Sequence, residues 1–289
     1  MLINTSGSGK IRLLLDGLCH HWGFYFVAKQ DVTGIGSEDF WKLMYQLDSS
    51  LNYKLAKQNK ENDPAAYLHI AEKTQHHLHQ LFLARLYLLN LFHEEAQRLP
   101  NGLDPTVHRR AWVLLQAIPQ TIFKTDPFLQ LADILSLSSA DDLQAGILKQ
   151  YQLVENMLEF GEDPSDGRQK RRPLYIVIDE SQLLAKQRLG EYRSDDGQKM
   201  RGLLRQVWLS CFEALKPPKI LLVLSGTGIE YQALEDTLTS PTLKVLPYIL
   251  VRDIGAFDDP EPQAKYIKQY LPSVDNVFLN RAWAWCRGR

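Results

Sequence analysis

Three short stretches of this 289-residue chain combine residue types at spacings that could handle a polyphosphate. The first is the octet Asn4-Thr5-Ser6-Gly7-Ser8-Gly9-Lys10-Ile11. It meets the phosphate-cradle pattern G-x-x-x-x-G-K-[ST] at Gly9 and Lys10 and departs from it at Asn4 and Ile11. Gly7 and Gly9 permit the backbone torsions that aim successive N–H groups at an anion. A helix starting here would present its positive end to the same point. Lys10 would reach the β- and γ-phosphates as a point charge. Thr5, Ser6, Gly7, Ser8, Gly9, Lys10, Ile11 and Arg12 are therefore the candidate nucleotide-binding residues. Ile11 cannot offer the hydroxyl that normally ligates Mg²⁺ at its position. Magnesium would depend on carboxylates, nucleotide and water, with Thr5 or Ser8 as a neighbouring hydroxyl. Binding could survive while hydrolysis slows or fails. The competing reading of the octet is a Gly/Ser linker ahead of a helix.

The second stretch, Ile176-Val177-Ile178-Asp179-Glu180, is an apolar run ending in two carboxylates. Asp179 at the end of a buried strand would hold Mg²⁺, and Glu180 would polarise an attacking water. The alternative is a strand-to-loop transition with Asp179 capping a helix begun at Ser181. The third stretch is Leu224-Ser225-Gly226-Thr227-Gly228. Ser225 or Thr227 could sit between the other two motifs and sense the γ-phosphate; otherwise this is a Gly-containing turn. His76, His77 and His79 cluster, and His93-Glu94-Glu95 follows, but Gln97 stands where a zinc-binding H-E-x-x-H helix needs histidine. Structural helix histidines account for them better. The basic run Arg168-Gln169-Lys170-Arg171-Arg172 reads as a solvated loop, and Arg109-Arg110 as a solvent-facing helix start. An arginine finger would have to come from residues such as Arg252, Arg281 or Arg287, and spacing does not choose among them.

The elements that must position these groups follow from pattern. Leu2-Ile3-Asn4 is the tail of a strand, residues 11–20 a helix, and Phe24 to Ala28 a strand. Strand, Gly-rich turn, helix and strand make a βαβ unit, which implies a parallel sheet. Gly34-Ile35-Gly36-Ser37 is a loop, and Ser37, Glu38 and Asp39 can open a helix through Leu47. After a polar loop over 48–64, apolar residues recur at helical spacing over 65–98, 107–118 and 140–160. A charged loop is expected over 161–173. Residues 174–178 and 220–224 read as continuously apolar, fully buried strands, with a third over 245–251 that starts or edges at Pro247. Helices are expected over 197–215, 262–270 and 276–287.

Composition narrows the classes. The chain is 45% apolar and 23% charged, ordinary for a globular protein. Its 33 basic and 34 acidic residues leave a net charge of −1, so no global pull toward nucleic acid or an acidic membrane follows. Three well-separated cysteines support neither a disulfide framework nor a Cys-rich zinc site, which suits a reducing compartment. The longest apolar-rich stretch, Leu78 to Phe92, carries His79, Gln80, Arg85 and Asn90 and is too short to span a bilayer. A cytoplasmic or nuclear location without membrane attachment is expected. The closing run Trp283-Ala284-Trp285-Cys286-Arg287-Gly288-Arg289 suggests a module whose neighbours are absent.

Taken in order, these motifs resemble a P-loop NTPase of the additional-strand, catalytic-glutamate division, near the AAA and STAND-type ATPases. More narrowly, the Asn4–Lys10 loop with Arg12-Leu13-Leu14, Ile178-Asp179-Glu180, Leu224 to Gly228 and the terminal Trp285-Cys286-Arg287-Gly288-Arg289 look like fungal Crinkler-type NTPase modules. The resemblance implies ATP and Mg²⁺ as ligands, Asp179 as the magnesium acid and Glu180 as the catalytic acid. It also implies a module that drives or regulates an attached effector domain or protein partner. The expected fold is α/β: a P-loop NTPase core with a mostly parallel sheet flanked by helices and a large helical insertion. The expected division is a discontinuous core, 1–30 with 170–289, around a mainly helical segment, 31–169. ATP binding with weak hydrolysis leads. A degenerate P-loop scaffold acting through protein contacts is the second reading, and a small-molecule phosphotransferase the third.

Overall fold

The computed structural model describes residues 2–3, 9–29, 34–49, 64–99, 104–162, 169–188, 191–193, 200–215, 219–227, 249, 251 and 259–286. The first half runs β1 (Leu2–Ile3), α1 (Lys10–His20), β2 (Gly23–Val27), α2 (Asp39–Ser49), α3 (Pro64–Gln97) and α4 (Pro105–Ala117). Two short helices, α5 (Pro119–Phe123) and α6 (Pro127–Ile134), and a 3-10 turn at Leu135–Leu137 lead to α7 (Ala140–Met157). Then follow β3 (Phe160–Glu162), β4 (Gln169–Arg171), β5 (Leu174–Asp179), α8 (Ser181–Lys186), β6 (Tyr192–Arg193) and β7 (Met200–Arg201). The chain closes with α9 (Leu203–Ala214), β8 (Ile220–Gly226), α10 (Pro260–Tyr270) and α11 (Asn276–Cys286).

The main sheet has four strands in the order β1–β8–β5–β2, all parallel. Its register pairs Phe24 with Ile176 and Phe26 with Ile178, and Ile176 with Leu222 and Ile178 with Leu224. Side chains alternate across a strand, so parity sorts them between two faces. Phe24, Phe26, Ile176, Ile178 and Leu224 join the large core with Leu78, Leu81 and Phe82 of α3 and Leu204 and Val207 of α9. Tyr25, Val27 and Val177 face the other way, against Leu14 and Leu18 of α1 and Val113 of α4. Both faces are covered, which is why these strands read as continuous apolar runs. The helical middle and the sheet therefore share one hydrophobic cluster.

Helix starts are written locally. Asp104, Asp126 and Asp259 each cap a helix with a proline at its first turn, accepting from Thr106 N, from Phe128 and Leu129 N, and from Glu261 N. Ser139 opens α7 by accepting from Asp142 N.

Several expectations are corrected. The charged loop expected over 161–173 begins with an antiparallel pair, β3 with β4, in which Arg171 faces its cross-strand partner Phe160 at 5.1 Å from the ring centroid. Charge concealed this pairing because the contact is cation–π rather than apolar. The helix expected from 197 starts at Leu203, since Met200–Arg201 pairs with Tyr192–Arg193. Within the helical middle, residues 119–137 form two short helices and a 3-10 turn around Pro119 and Pro127. Arg109 does not face solvent: it is buried, ion-paired with Glu159, and donates to the carbonyl of Cys19 at 3.2 Å. Of the strand expected over 245–251, only Ile249 and Val251 are described. Among the described residues no helix is long and apolar enough to cross a membrane.

Candidate functional site

Parallel strands bring their carboxyl ends to one edge, where α/β sheets hold ligands. Ile3, Val27, Asp179 and Gly226 all end there. Lys10 begins α1 at that edge. Gly9 precedes it as the helix cap with φ 81°, a left-handed torsion that suits glycine. Lys10 is buried, and burial lowers its pKa below the ordinary lysine value, while the Asp179 and Glu180 carboxylates pull it back up. The lysine from one end of the chain and the two acids from the other thus act on each other electrostatically.

Asp179 ends β5 and is 2% exposed. Its Oδ2 accepts from the Tyr25 hydroxyl at 3.1 Å, and its Oδ1 accepts from Glu180 N at 3.0 Å. Each carboxylate oxygen keeps a lone pair beyond these bonds. Glu180 is half-buried and sits at φ 54°, a left-handed torsion that a residue with a Cβ adopts at some strain. This kink turns the chain from β5 straight into α8.

The end of β8 closes the site. Ser225 lies one position past the Ile178–Leu224 pair, and its backbone carbonyl accepts from Ser181 Oγ at 2.8 Å. The Ser225 hydroxyl is fully buried and finds no hydrogen-bond partner among the described residues. Thr227 N donates to Gln182 Oε1 at 3.2 Å, and Gln182 Nε2 donates to Thr227 Oγ1 at 3.3 Å and to the Glu180 carboxylate.

Of the residues selected from sequence, Lys10, Asp179, Glu180, Ser225 and Thr227 lie at this edge. Thr5, Ser6, Gly7 and Ser8 lie outside the described residues, as do Arg252 and Arg287. Ile11 is half-buried one position beyond the lysine. Arg12 is turned to α10, where its guanidinium donates to the Tyr266 hydroxyl and lies 4.7 Å from the centroid of that ring. Arg281 is exposed on α11. No group of three or more His, Cys, Asp or Glu able to hold a metal occurs among the described residues. The donor set at the edge is one buried carboxylate and its neighbour, which suits Mg²⁺, an ion usually held by one or two carboxylates plus phosphates and water.

Two residues escaped the sequence reading. Tyr25 looked like one more aromatic in a strand, but its parity puts it on the Asp179 face. Gln182 stands two residues after the acids with no motif to flag it.

No family model, curated protein or solved structure matches this chain.

Proposed function

We propose that the protein is an ATP-binding module of the P-loop type with slow, magnesium-dependent ATP hydrolysis that drives or regulates an attached domain or protein partner. One observation carries this reading: β8 lies between β1 and β5, so the strand that carries Ser225 and runs out just before Thr227 separates the strand leading to Lys10 from the strand ending in Asp179. That is the order an additional-strand ATPase needs for a sensing residue to stand between the phosphate loop and the acids. The mutual influence of Lys10, Asp179 and Glu180 supports it. In this reading Lys10 and the backbone of Gly7 to Lys10 hold phosphate, and Asp179 holds Mg²⁺ on its remaining lone pairs. Glu180 orients water, and the Thr227 or Ser225 hydroxyl meets the γ-phosphate. Magnesium supplies charge neutralisation at the phosphates when bound.

A second reading, a hydrolysis-deficient scaffold that binds nucleotide and acts through protein contacts, is favoured by Ile11, which removes the usual magnesium hydroxyl. Titration with ATP and Mg²⁺ tests the first claim: Lys10→Ala should lose at least tenfold in affinity, the loss of a charge-assisted contact of about 1.5–3 kcal/mol. Unchanged affinity in Lys10→Ala defeats it. Turnover that Glu180→Gln abolishes supports hydrolysis; turnover that emerges only in Ile11→Thr supports the scaffold.

A further inference from the structure

Gln182 is one side chain with both of its amide atoms committed to the site. Its Oε1 takes the Thr227 backbone N–H at 3.2 Å, and its Nε2 reaches Thr227 Oγ1 at 3.3 Å and the Glu180 carboxylate. It is 8% exposed, on the first turn of α8, and Ser181 beside it ties that turn to β8 through the Ser225 carbonyl. The turn is therefore held to the strand end at two points, and the amide has little freedom to move away.

We propose that Gln182 sets discrimination between nucleoside triphosphate and diphosphate. The inference rests on the phosphate-site reading above. A γ-phosphate arriving at the end of β8 seeks donors, and among the described residues of that strand end the Thr227 N–H stands with the Thr227 and Ser225 hydroxyls as those it can meet. The N–H is occupied by Gln182 Oε1, so a triphosphate must displace that bond, whereas a diphosphate, one phosphoryl shorter, does not reach it. Displacement has a second consequence. The same amide holds the Glu180 carboxylate, so γ-phosphate entry and release of Glu180 toward water are one event. Gln182 acts through Thr227 and Glu180 and is a positioning residue.

The test compares a non-hydrolysable ATP analogue with ADP, each with Mg²⁺, on the full chain. Gln182→Ala removes the competitor: triphosphate affinity should rise about three- to tenfold, the worth of one net hydrogen bond, with ADP affinity unchanged. Gln182→Glu keeps an acceptor for Thr227 N–H, strengthens it with charge, and repels Glu180; triphosphate affinity should fall by a similar factor, again with ADP unchanged. Opposite signs in two variants of one residue cannot come from general loosening of the fold. An unchanged ATP-to-ADP ratio in both variants, or parallel changes for both nucleotides, overturns the role of Gln182 while leaving the phosphate site standing. A wild-type chain that binds neither nucleotide overturns the phosphate-site reading and this inference with it.

Discussion

Two buried charged regions of this molecule are built on opposite plans. On the α3 side of the sheet, Arg85 and Asp39 are both fully buried and meet through two bonds, Nε to Oδ2 at 2.7 Å and Nη2 to Oδ1 at 2.9 Å. Arg85 Nη1 donates to Gln116 Oε1 at 3.0 Å, and that oxygen also takes Tyr25 N at 2.9 Å. The guanidinium lies over the rings of Phe26 and Phe128 at 4.7 and 4.0 Å. Asp39 still accepts from Phe40 N, and Ser37 links to the cap of α6 through Asp126. Donors and acceptors here are matched. At the strand ends the balance differs. Lys10 is buried at the expense of its charged form, Glu180 holds a left-handed torsion, and the Ser225 hydroxyl finds no partner among the described residues. A matched network is what a structural joint needs, whereas a strained torsion and a desolvated charge are costs that tend to collect at sites.

Tyr25 belongs to both regions, with its backbone N–H in the joint and its hydroxyl on Asp179. Gln116 also bonds the Gly23 carbonyl, as does Trp112 Nε1, so β2 is anchored to α4 two residues before Tyr25, which steadies the acid.

The largest loss of stability should come at the joint. Asp39→Ala leaves Arg85 buried and unpaired, and should lower unfolding free energy by about 3–5 kcal/mol in denaturant titration. Adding Arg85→Met should cost less than the sum of the two single changes, because the bonds lost are the same. Strict additivity would show that the pair is not a unit.

Next in size is a pH effect inside the helical region. Burial holds His79 at a pKa of about 4 against an ordinary 6.5. Between those values the unfolded chain binds a proton that the folded chain refuses, so stability falls as pH drops from about 6.5 to about 4, by about 3 kcal/mol. Above pH 6.5 this histidine adds no pH dependence. Denaturant midpoints at pH 7, 5 and 4 should show the decline, and His79→Leu should flatten it; an equally steep profile in His79→Leu assigns the loss elsewhere.

At the site, the contrast predicts function lost without fold lost. Lys10→Met removes a desolvated amine, so stability should move by less than about 1 kcal/mol while nucleotide affinity falls more than tenfold. Cooperative thermal unfolding beside a binding titration separates the two, and a large drop in stability would make Lys10 a structural residue.

The smallest effect is at Glu180. Glycine accepts φ 54° without strain, so Glu180→Gly should be more stable than Glu180→Gln by about 1 kcal/mol, though both lose the carboxylate. Equal stabilities would mean that the Glu180 torsion stores no strain.

Legibility from sequence differed between the two regions. Lys10, Asp179-Glu180 and Ser225-Thr227 were visible because each combines a local residue pattern with the end of an apolar run. The Arg85–Asp39 joint was invisible: Arg85 interrupted the stretch Leu78 to Phe92 as one polar residue among several, and its partners lie on α2 and α4. A charged residue in a helix usually faces solvent, and nothing near Arg109 in sequence says otherwise: Glu159, which pairs with it, comes from far along the chain. Gln182 carries no motif, since an amide side chain signals nothing in sequence; only its simultaneous reach to Glu180 and Thr227 marks it.

By itself the sequence determined what local chemistry decides: the aspartate-proline helix starts, the continuously apolar strands of a covered parallel sheet, and acids placed where β5 ends. Strand order, which face each side chain takes and which charges find partners were decided only by tertiary structure. Parallel pairing joins segments separated by many residues, and a buried charge is stable only once its partners arrive from elsewhere in the chain.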